Sequence, residues 1–161
     1  MANLKAEIAQ KSPFSSVEEE AILNLMRTAD CVQRAFQQRI RGTGLTSTQY
    51  NVLRILRGAQ PDGLTCAAIG ARMIAMEPDI TRLLARLKRL KLICQHRDRR
   101  DRRVVWTRIS GAGLELLRTL DPVIQRIPVE LLGHFNRAEL AEIIRLLELA
   151  RQPCLGTRLP E

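Results

Sequence analysis

The chain has 161 residues, of which 45% are hydrophobic, and a formal net charge of +9. This length supports one buried core with room for an added oligomerisation element, and no run of about 18 apolar residues predicts a membrane span. Charged residues interrupt the first thirteen positions, where a secretion signal needs an apolar segment, so we expect a cytoplasmic protein whose partner is anionic, either nucleic acid or a membrane surface.

The first predicted helix runs to about Arg41. Ser15 or Ser16 caps it, because Glu18 or Glu19 follows three residues later, as in a capping box. Two nearby glycines end it. A narrow apolar stripe with spacings of three and four residues favours packing against another helix, through Ile22, Leu25, Ala29, Val32, Phe36 and Ile40.

Two shorter helices are predicted next. Thr46 and Gln49 have the capping-box spacing and open the second helix, which Gly58 ends. The sequence Gln60-Pro61-Asp62-Gly63 predicts a tight turn, because proline presets φ and glycine accepts a positive φ. The third helix is expected from about Thr65 to Met73.

The fourth predicted helix, from Pro78 to about Lys91, has one apolar and one basic face. Proline suits the first helical position. The apolar face contains Ile80, Leu83, Leu84, Leu87 and Leu90, and the opposite side carries Arg82, Arg86 and Arg89. Taken alone, such a helix is equally compatible with a solvated basic face.

A β-hairpin with a basic tip is predicted after this helix. Residues 92–95 and 104–109 form its strands, and Asp98 to Asp101 its turn. Five arginines in seven residues repel one another, which favours a polyanionic partner; the alternative is a disordered basic loop. Residues 72–108 contain twelve basic and four acidic residues, against fourteen and thirteen elsewhere, so the excess charge is local.

Two apolar helical regions follow the hairpin. Ser110 caps the first, in which Pro122 and Pro128 are expected to bend or break the helix. A capping box at Asn136 opens the last helix, which is expected to end near Pro153. The last eight residues are expected to be a frayed tail.

The sequence contains few residues of the types that form catalytic or metal sites, which argues against an enzyme or a metal centre. The four cysteines lie 28 to 60 residues apart, there are two histidines, and no catalytic triad or glycine-rich phosphate loop is recognisable, so we expect no cofactor. The five aromatic residues occur singly, whereas single-strand binders need several stacking faces. Duplex DNA is therefore the favoured partner, rather than single-stranded nucleic acid or a membrane.

Several motifs are arranged along these elements. Leu45-Thr46-x-x-Gln49-Tyr50 and Leu64-Thr65-x-x-x-Ile69-Gly70 open the second and third helices, and Ile80-Thr81-Arg82-Leu83 opens the fourth. The hairpin contains Asp98-x-x-Asp101-Arg102-Arg103, followed by Ile109-Ser110-x-x-Gly113. Over about residues 17–151, this series resembles the MarR family of winged helix-turn-helix transcription regulators.

The resemblance implies a mainly α fold with a small β-hairpin wing. Residues 45–110 would form the winged helix-turn-helix DNA-binding domain, and residues 1–44 and 111–161 a helical dimerisation region. The homodimer would present two recognition helices to successive major grooves of a pseudo-palindromic site, about 34 Å apart. We expect a ligand-responsive regulator of transcription, acting as a repressor.

The resemblance also implies individual DNA contacts. Thr81, Arg82 and Arg86 would face base edges or phosphates in the major groove, and the backbone N–H groups of Thr65 and Cys66 would face phosphate. The wing would contribute minor-groove and phosphate contacts through Arg97, Arg99, Arg100, Arg102 and Arg103. The carboxylates of Asp98 and Asp101 would order the wing, with Asp101 paired to Arg102 or Arg103.

The sequence departs from the family pattern around the fourth helix. Met76 stands at the cap position, which is usually Ser or Thr, and Glu77 and Asp79 follow. Asp79 either accepts a hydrogen bond from cytosine N4, or opposes phosphate and weakens binding until the arginines compensate. Ile74 replaces a frequent turn glycine, and Lys91 replaces another glycine before the hairpin.

Relatives respond to small aromatic or lipophilic acids or to cysteine oxidation. The candidate effector residues are Arg34, Phe36 and Tyr50, an aromatic pair near a cation; alternatively, the two rings belong to the core and Arg34 is solvated. Cys66 is the redox candidate, because helix N-termini in basic surroundings favour thiolates. Cys31 is expected to be a buried structural thiol.

The alternative function is a winged-helix interaction module that acts through protein or membrane contacts without specific DNA binding. Salt dependence and sequence preference separate the two functions. A dimer that neutralises phosphates releases counterions and prefers a palindrome, whereas an interaction module does neither.

Overall fold

The computed structural model describes residues 3–156, which form seven α-helices, one 3₁₀ turn and a three-stranded antiparallel sheet. In chain order the elements are α1 (Leu4–Glu7), α2 (Val17–Ile40), the 3₁₀ turn (Arg41–Thr43), α3 (Ser47–Arg57), β1 (Leu64–Thr65), α4 (Cys66–Gly70), α5 (Ile80–Arg89), β2 (Ile93–Arg97), β3 (Val105–Ile109), α6 (Gly111–Leu132) and α7 (Arg137–Gly156). None of the helices in this part of the chain is long and apolar enough to cross a membrane.

The helix starts follow the predicted capping pattern. Ser16 Oγ accepts a hydrogen bond from the backbone N–H of Glu19, and the Glu19 carboxylate accepts one from the N–H of Ser15. At α3, Thr46 Oγ1 accepts from Gln49 N at 3.2 Å, while Gln49 Oε1 accepts from Thr46 N at 3.0 Å. The capping box at α3 is confirmed, because its reciprocal bonds satisfy donors that a helix start leaves unpaired, whereas at α2 the carboxylate bonds to Ser15 instead of the cap residue Ser16.

The sheet contains one strand that was not predicted. Its order is β1-β3-β2, with both pairings antiparallel, so the short β1 adds to the predicted hairpin. Thr65 therefore belongs to β1 and caps α4 through its side chain, which accepts from Ala68 N. This makes α4 shorter than the predicted helix from Thr65 to Met73.

Gly63 is required where the preceding turn approaches the sheet. Its φ is +82°, and a Cβ at this position would lie 2.5 Å from the carbonyl oxygen of Thr107 in β3. Any other residue would combine left-handed strain with a backbone clash. The predicted turn at residues 60–63 thus places β1 against β3.

The main core lies in the middle of the chain. Leu53, Leu56, Ile69 and Leu87 are fully buried in it. Leu90, predicted for the same apolar face, is 48% exposed, because α5 ends at Arg89 and Leu90 is its C-cap. The helix period no longer directs a side chain inward once the helix has ended.

The prolines do not interrupt the last two helices. The helical segment α6 continues through Pro122 and Pro128, so of the predicted bend or break the break does not occur, and α7 continues past Pro153 to Gly156. A proline removes one donor while the neighbouring helical hydrogen bonds remain.

The tail predicted for the last eight residues lies partly outside the described residues. By compactness the chain divides into two units, with the boundary between Ile124 and Gln125.

Candidate nucleic-acid interface

The start of α5 differs from the prediction. The helix begins at Ile80 rather than at Pro78, and its cap is Asp79, whose Oδ1 accepts from Arg82 N at 2.9 Å. Met76, the predicted cap, is 97% exposed. A carboxylate is a strong acceptor for a helix-start N–H and a thioether is a weak one, which explains the shift of the cap.

The two sides of α5 differ as predicted in their exposure. Leu84 and Leu87 are buried in the core, whereas Thr81, Arg82 and Arg86 are exposed. The helix therefore holds its basic residues on a rigid support, with its apolar side anchored below them. Arg89, the third predicted basic position, is also exposed.

The tip of the hairpin is organised by Asp98. Its Oδ1 accepts from the backbone N–H groups of Arg100 at 2.7 Å and Asp101 at 3.0 Å, and its Oδ2 accepts from Trp106 Nε1 at 3.0 Å. These donors lower the pKa of Asp98, the backbone N–H groups of Asp101 and Arg100 most and the Trp106 indole next. The charged carboxylate thus holds the turn.

Asp101 organises the other side of the tip. It accepts hydrogen bonds from the backbone N–H of Arg103 at 3.0 Å and from its guanidinium at 3.1 Å. The Arg103 side chain, and then its backbone N–H, lower the pKa of Asp101. Of the two pairings left open by the sequence, the structure contains the one with Arg103. Arg97 Nη1 donates to the carbonyl oxygen of Arg102 at 3.4 Å.

A groove of about 850 Å³ lies between α5 and the hairpin. Its cations are Arg82, Lys88 and Arg89, and its neutral polar residues are Thr81, Gln95 and Thr107. Cys66, partly buried at the start of α4, also lines it, together with Leu84, Ala85 and Val105. Gln95 Nε2 donates to the buried Thr107 Oγ1 at 3.2 Å within the groove wall, and the exposed cations beside the Thr81 hydroxyl match the oxygens of a sugar-phosphate backbone.

The groove shows which residues sequence reasoning missed. Lys88 and Gln95 face it but were not among the predicted contacts, and Arg86, which was, does not line it. The groove-lining positions of α5 are 81, 82, 84, 85, 88 and 89, a face rotated slightly from the arginine stripe. The spacing of four between Thr81 and Ala85, and between Ala85 and Arg89, was the available signal.

The proposed effector residues do not form one cluster. The Phe36 and Tyr50 rings lie 5.4 Å apart, and Tyr50 is buried, which raises the pKa of its hydroxyl. Arg34 is exposed and pairs with Asp30 at 2.7 Å. Cys31 is exposed, so the prediction of a buried thiol is wrong: the face of α2 that carries it is not covered within one chain.

Similarity to known proteins identifies the family, although no protein-family model matches the chain. The MarR transcription factor from Planctomyces limnophilus is 38% identical, and its structure matches with a TM-score of 0.65 over 85% of this chain and 99% of that one. This chain belongs to the MarR family. The predicted fold class is confirmed, namely a mainly helical winged helix-turn-helix protein with a small antiparallel sheet.

Two further relatives agree with this assignment. BpsR of Bordetella bronchiseptica is 27% identical, and its structure matches with a TM-score of 0.73 over 83% of this chain and 100% of that one. The uncharacterized HTH-type transcriptional regulator YkoM of Bacillus subtilis (strain 168) is 26% identical over 114 residues, which are 68% of this chain and 73% of YkoM. The MarR-family chain is a DNA-binding transcription regulator and not an enzyme.

Proposed function

We propose that this chain is a ligand-responsive repressor that binds a pseudo-palindromic duplex site as a homodimer. The observation that carries the proposal is the groove between α5 and the hairpin, where three cations stand beside neutral hydrogen-bonding side chains. With α5 in a major groove, the DNA strand next to that helix would run through this space. The proposed reader is the winged domain of residues 45–110.

The individual contacts follow from this placement. Thr81, Arg82 and Arg86 would project from α5 into the major groove, and the exposed wing arginines would reach the adjacent minor groove or its phosphates. Thr65 and Cys66 would approach a phosphate from the start of α4. Asp98 and Asp101 would keep the wing arginines together despite their mutual repulsion, through the hydrogen bonds at the tip.

A variant that tests the role proposed for Asp79 must preserve the cap of α5. Replacement by alanine would remove the cap of α5 as well as the charge, since Asp79 Oδ1 accepts from Arg82 N. Asp79→Asn keeps an acceptor for the cap and removes the charge. If Asp79 accepts from cytosine N4, the asparagine variant loses its preference for cytosine; if Asp79 repels phosphate, the variant binds all duplexes more tightly. No change in either property would refute both roles.

The homodimer is proposed from the apolar surface of the terminal helices, residues 1–44 and 111–161. Exposed large hydrophobic residues recur on α2 and α7, among them Ile22, Leu25, Met26, Val32, Ile144, Leu146, Leu147 and Leu149. Monomeric proteins rarely leave contiguous apolar surface of this kind uncovered. A two-fold dimer buries such a surface and places two readers one helical turn of DNA apart.

The proposal that a small molecule controls DNA binding by this chain is based on a relative. DNA binding by BpsR is regulated by 6-hydroxynicotinic acid, a small aromatic acid. In this chain the Phe36–Tyr50 ring pair, where α2 meets α3, is the proposed position for such a ligand, with Arg34 as the cation once it leaves Asp30. The ligand would weaken DNA binding if it favours an arrangement of the two readers that no longer fits successive grooves.

Duplex binding at several salt concentrations tests the proposal. A dimer that contacts about 6–10 phosphates loses roughly 10³–10⁵ in affinity between 50 and 200 mM salt, and prefers a defined sequence. Replacing Arg99 and Arg100 by glutamine should reduce the salt slope, whereas Arg151→Gln on α7 should not. Equal binding to every sequence, or no binding, would instead favour an interaction module for proteins or membranes.

A further inference from the structure

The segment between α4 and α5 exposes two large apolar side chains. Ile74 is 83% exposed and Met76 is 97% exposed, the highest value among the large hydrophobic residues of the described part of the chain. Neither side chain belongs to the core, and the family pattern has a glycine where Ile74 stands. Apolar side chains stabilise a fold when they are removed from water, so these two exposed side chains do not stabilise the isolated chain. Their exposure therefore requires another explanation.

The backbone of this segment is fixed even though its side chains project outward. Asn51, a buried residue of α3, accepts a hydrogen bond through Oδ1 from Ile74 N at 3.1 Å. The backbone N–H groups of Arg72 and Met73 bond to the carbonyl oxygens of Ile69 and Gly70 at the end of α4. The apolar side chains thus project from a segment anchored at both ends, by α4 on one side and by the cap of α5 on the other.

The chemistry of the segment does not suit phosphate. No lysine or arginine occurs between Met73 and Thr81, whereas Glu77 and Asp79 are acidic. Yet the segment leads into the N-terminal end of α5, and in helix-turn-helix proteins this end of the recognition helix contacts base edges. An uncharged apolar group at that place matches one feature of the major groove, which is the 5-methyl group of thymine.

We propose that Ile74 and Met76 are specificity residues that contact thymine 5-methyl groups in the major groove, next to the bases faced by α5. The inference rests on the proposed function, since it places this end of α5 in DNA. DNA is favoured over a protein partner because the flanking stretch, residues 72–108, holds twelve basic and four acidic residues, which attract a polyanion. The fixed backbone leaves little conformational entropy to lose on binding, apart from that of the two side chains.

Removal of single methyl groups from DNA tests the inference. Duplexes are first selected by the protein from a random pool, and each thymine of the preferred site is then replaced by deoxyuridine, which differs only in lacking the methyl group. We expect affinity to fall about three- to five-fold per contacted methyl group, the loss associated with one buried carbon. The sensitive thymines should recur at equivalent positions of both half-sites.

Matched variants connect the loss to the two side chains. Met76→Gln keeps nearly the same shape and adds polarity, Ile74→Thr is isosteric with Ile74→Val and adds a hydroxyl, and both polar variants should bind thymine and deoxyuridine duplexes equally. Met76→Leu and Ile74→Val should retain the discrimination. Both positions are exposed, so we expect unchanged unfolding midpoints for all four variants, and a variant with a lowered midpoint is judged by its ratio of thymine to deoxyuridine affinity rather than by affinity alone.

The outcomes separate the inference from the proposed function. If a duplex is enriched but no deoxyuridine substitution weakens binding, the proposed function survives and the methyl contact is wrong. If Met76→Gln and Ile74→Thr lose affinity equally on both duplexes, the residues contact something other than the methyl groups, and the inference is also overturned. If no duplex is enriched at all, both fail.

Discussion

The middle of the chain and its terminal helices treat their apolar residues differently. In α3, Val52, Leu53 and Leu56 are fully buried, whereas in the 24-residue α2 Ile40 is the one buried residue. The sequence patterns of both helices are amphipathic. The difference shows that a helical apolar stripe predicts what a helix can pack against, and not whether the partner lies in the same chain.

This contrast gives the two regions different proposed tasks. The middle region completes its own core and supports the basic side of α5 and the wing. The terminal helices leave apolar residues such as Leu25 and Ile144 exposed, at 41% and 56%. Each fully buried side chain of this size contributes about 1.5–3 kcal/mol, so we expect that covering several of them by a second copy would help to offset the cost of association.

The largest expected effect comes from placing a charge on the exposed apolar face of α7. Ile144→Glu should convert the dimer to a monomer in sedimentation experiments, because a carboxylate would have to be buried without a partner. Duplex affinity should then fall at least 100-fold, since each half-site would be bound alone.

Arg151→Glu is the matched control, because it places the same side chain at an exposed polar position of the same helix. It should leave the mass and the duplex affinity nearly unchanged. If Ile144→Glu remained a dimer with wild-type affinity, this face of α7 would not be the dimer interface. The proposal that the terminal helices expose apolar residues in order to bind a second copy would then be wrong.

A smaller effect is expected at the wing. Asp98→Asn should weaken duplex binding about ten-fold, because its amide would present a donor to Trp106 Nε1 and loosen the turn, and ordering one residue costs about 1–2 kcal/mol. Trp106→Phe, which removes that indole donor, should rescue part of the loss when both changes are combined. If the losses of the two single variants simply add in the double variant, the indole bond does not order the wing.

The pH dependence of the wing has a defined sign. The pKa of Asp98 is lowered by hydrogen bonds to its charged form, so the order that it provides is present above the ordinary aspartate pKa of 3.8 and is lost as the pH falls through the lowered value. His96 lies opposite Trp106 in the β2–β3 pairing, so the measurement uses a His96→Gln background in which Asp98 is the titratable side chain bonded to the indole. In that background Trp106 fluorescence should stay constant between about pH 8 and pH 5. A transition within that range would contradict the geometry at the tip.

The smallest effect concerns Lys91, which precedes the hairpin in a left-handed backbone conformation. Its φ is +59°, in the left-handed region that favours glycine. Lys91→Gly should raise the free energy of unfolding by about 0.5–1 kcal/mol, less than the full left-handed strain because glycine also has a more flexible unfolded state. Lys91→Ala removes the charge without relieving the strain, so a gain as large with alanine as with glycine would attribute it to charge instead.

Local chemistry explains what the sequence could predict. The capping residues Ser16, Thr46 and Ser110, and the turn at Asp98, act over three or four positions, and their hydrogen bonds are those expected from spacing alone. The resemblance supplied the family and fold. The left-handed φ of Lys91 shows why glycine would suit this position, and the structure does not explain the lysine.

Tertiary structure decided the features that were missed. Strand β1 is two residues long and exists because the turn at Gly63 brings it to β3, which no periodicity reveals. The cap at Asp79 required knowing where α5 begins. The groove face containing Lys88 depends on how the hairpin packs beside α5, so the arginine stripe alone selected a slightly different face.

The most direct test of the account is the form of the DNA site that the protein selects from a random duplex pool. We predict two inverted half-sites with centres about 10–10.5 base pairs apart, bound by two chains per duplex. Enrichment of a single unpaired half-site, or a complex containing one chain, would contradict the claim that the terminal helices join two readers into one regulator.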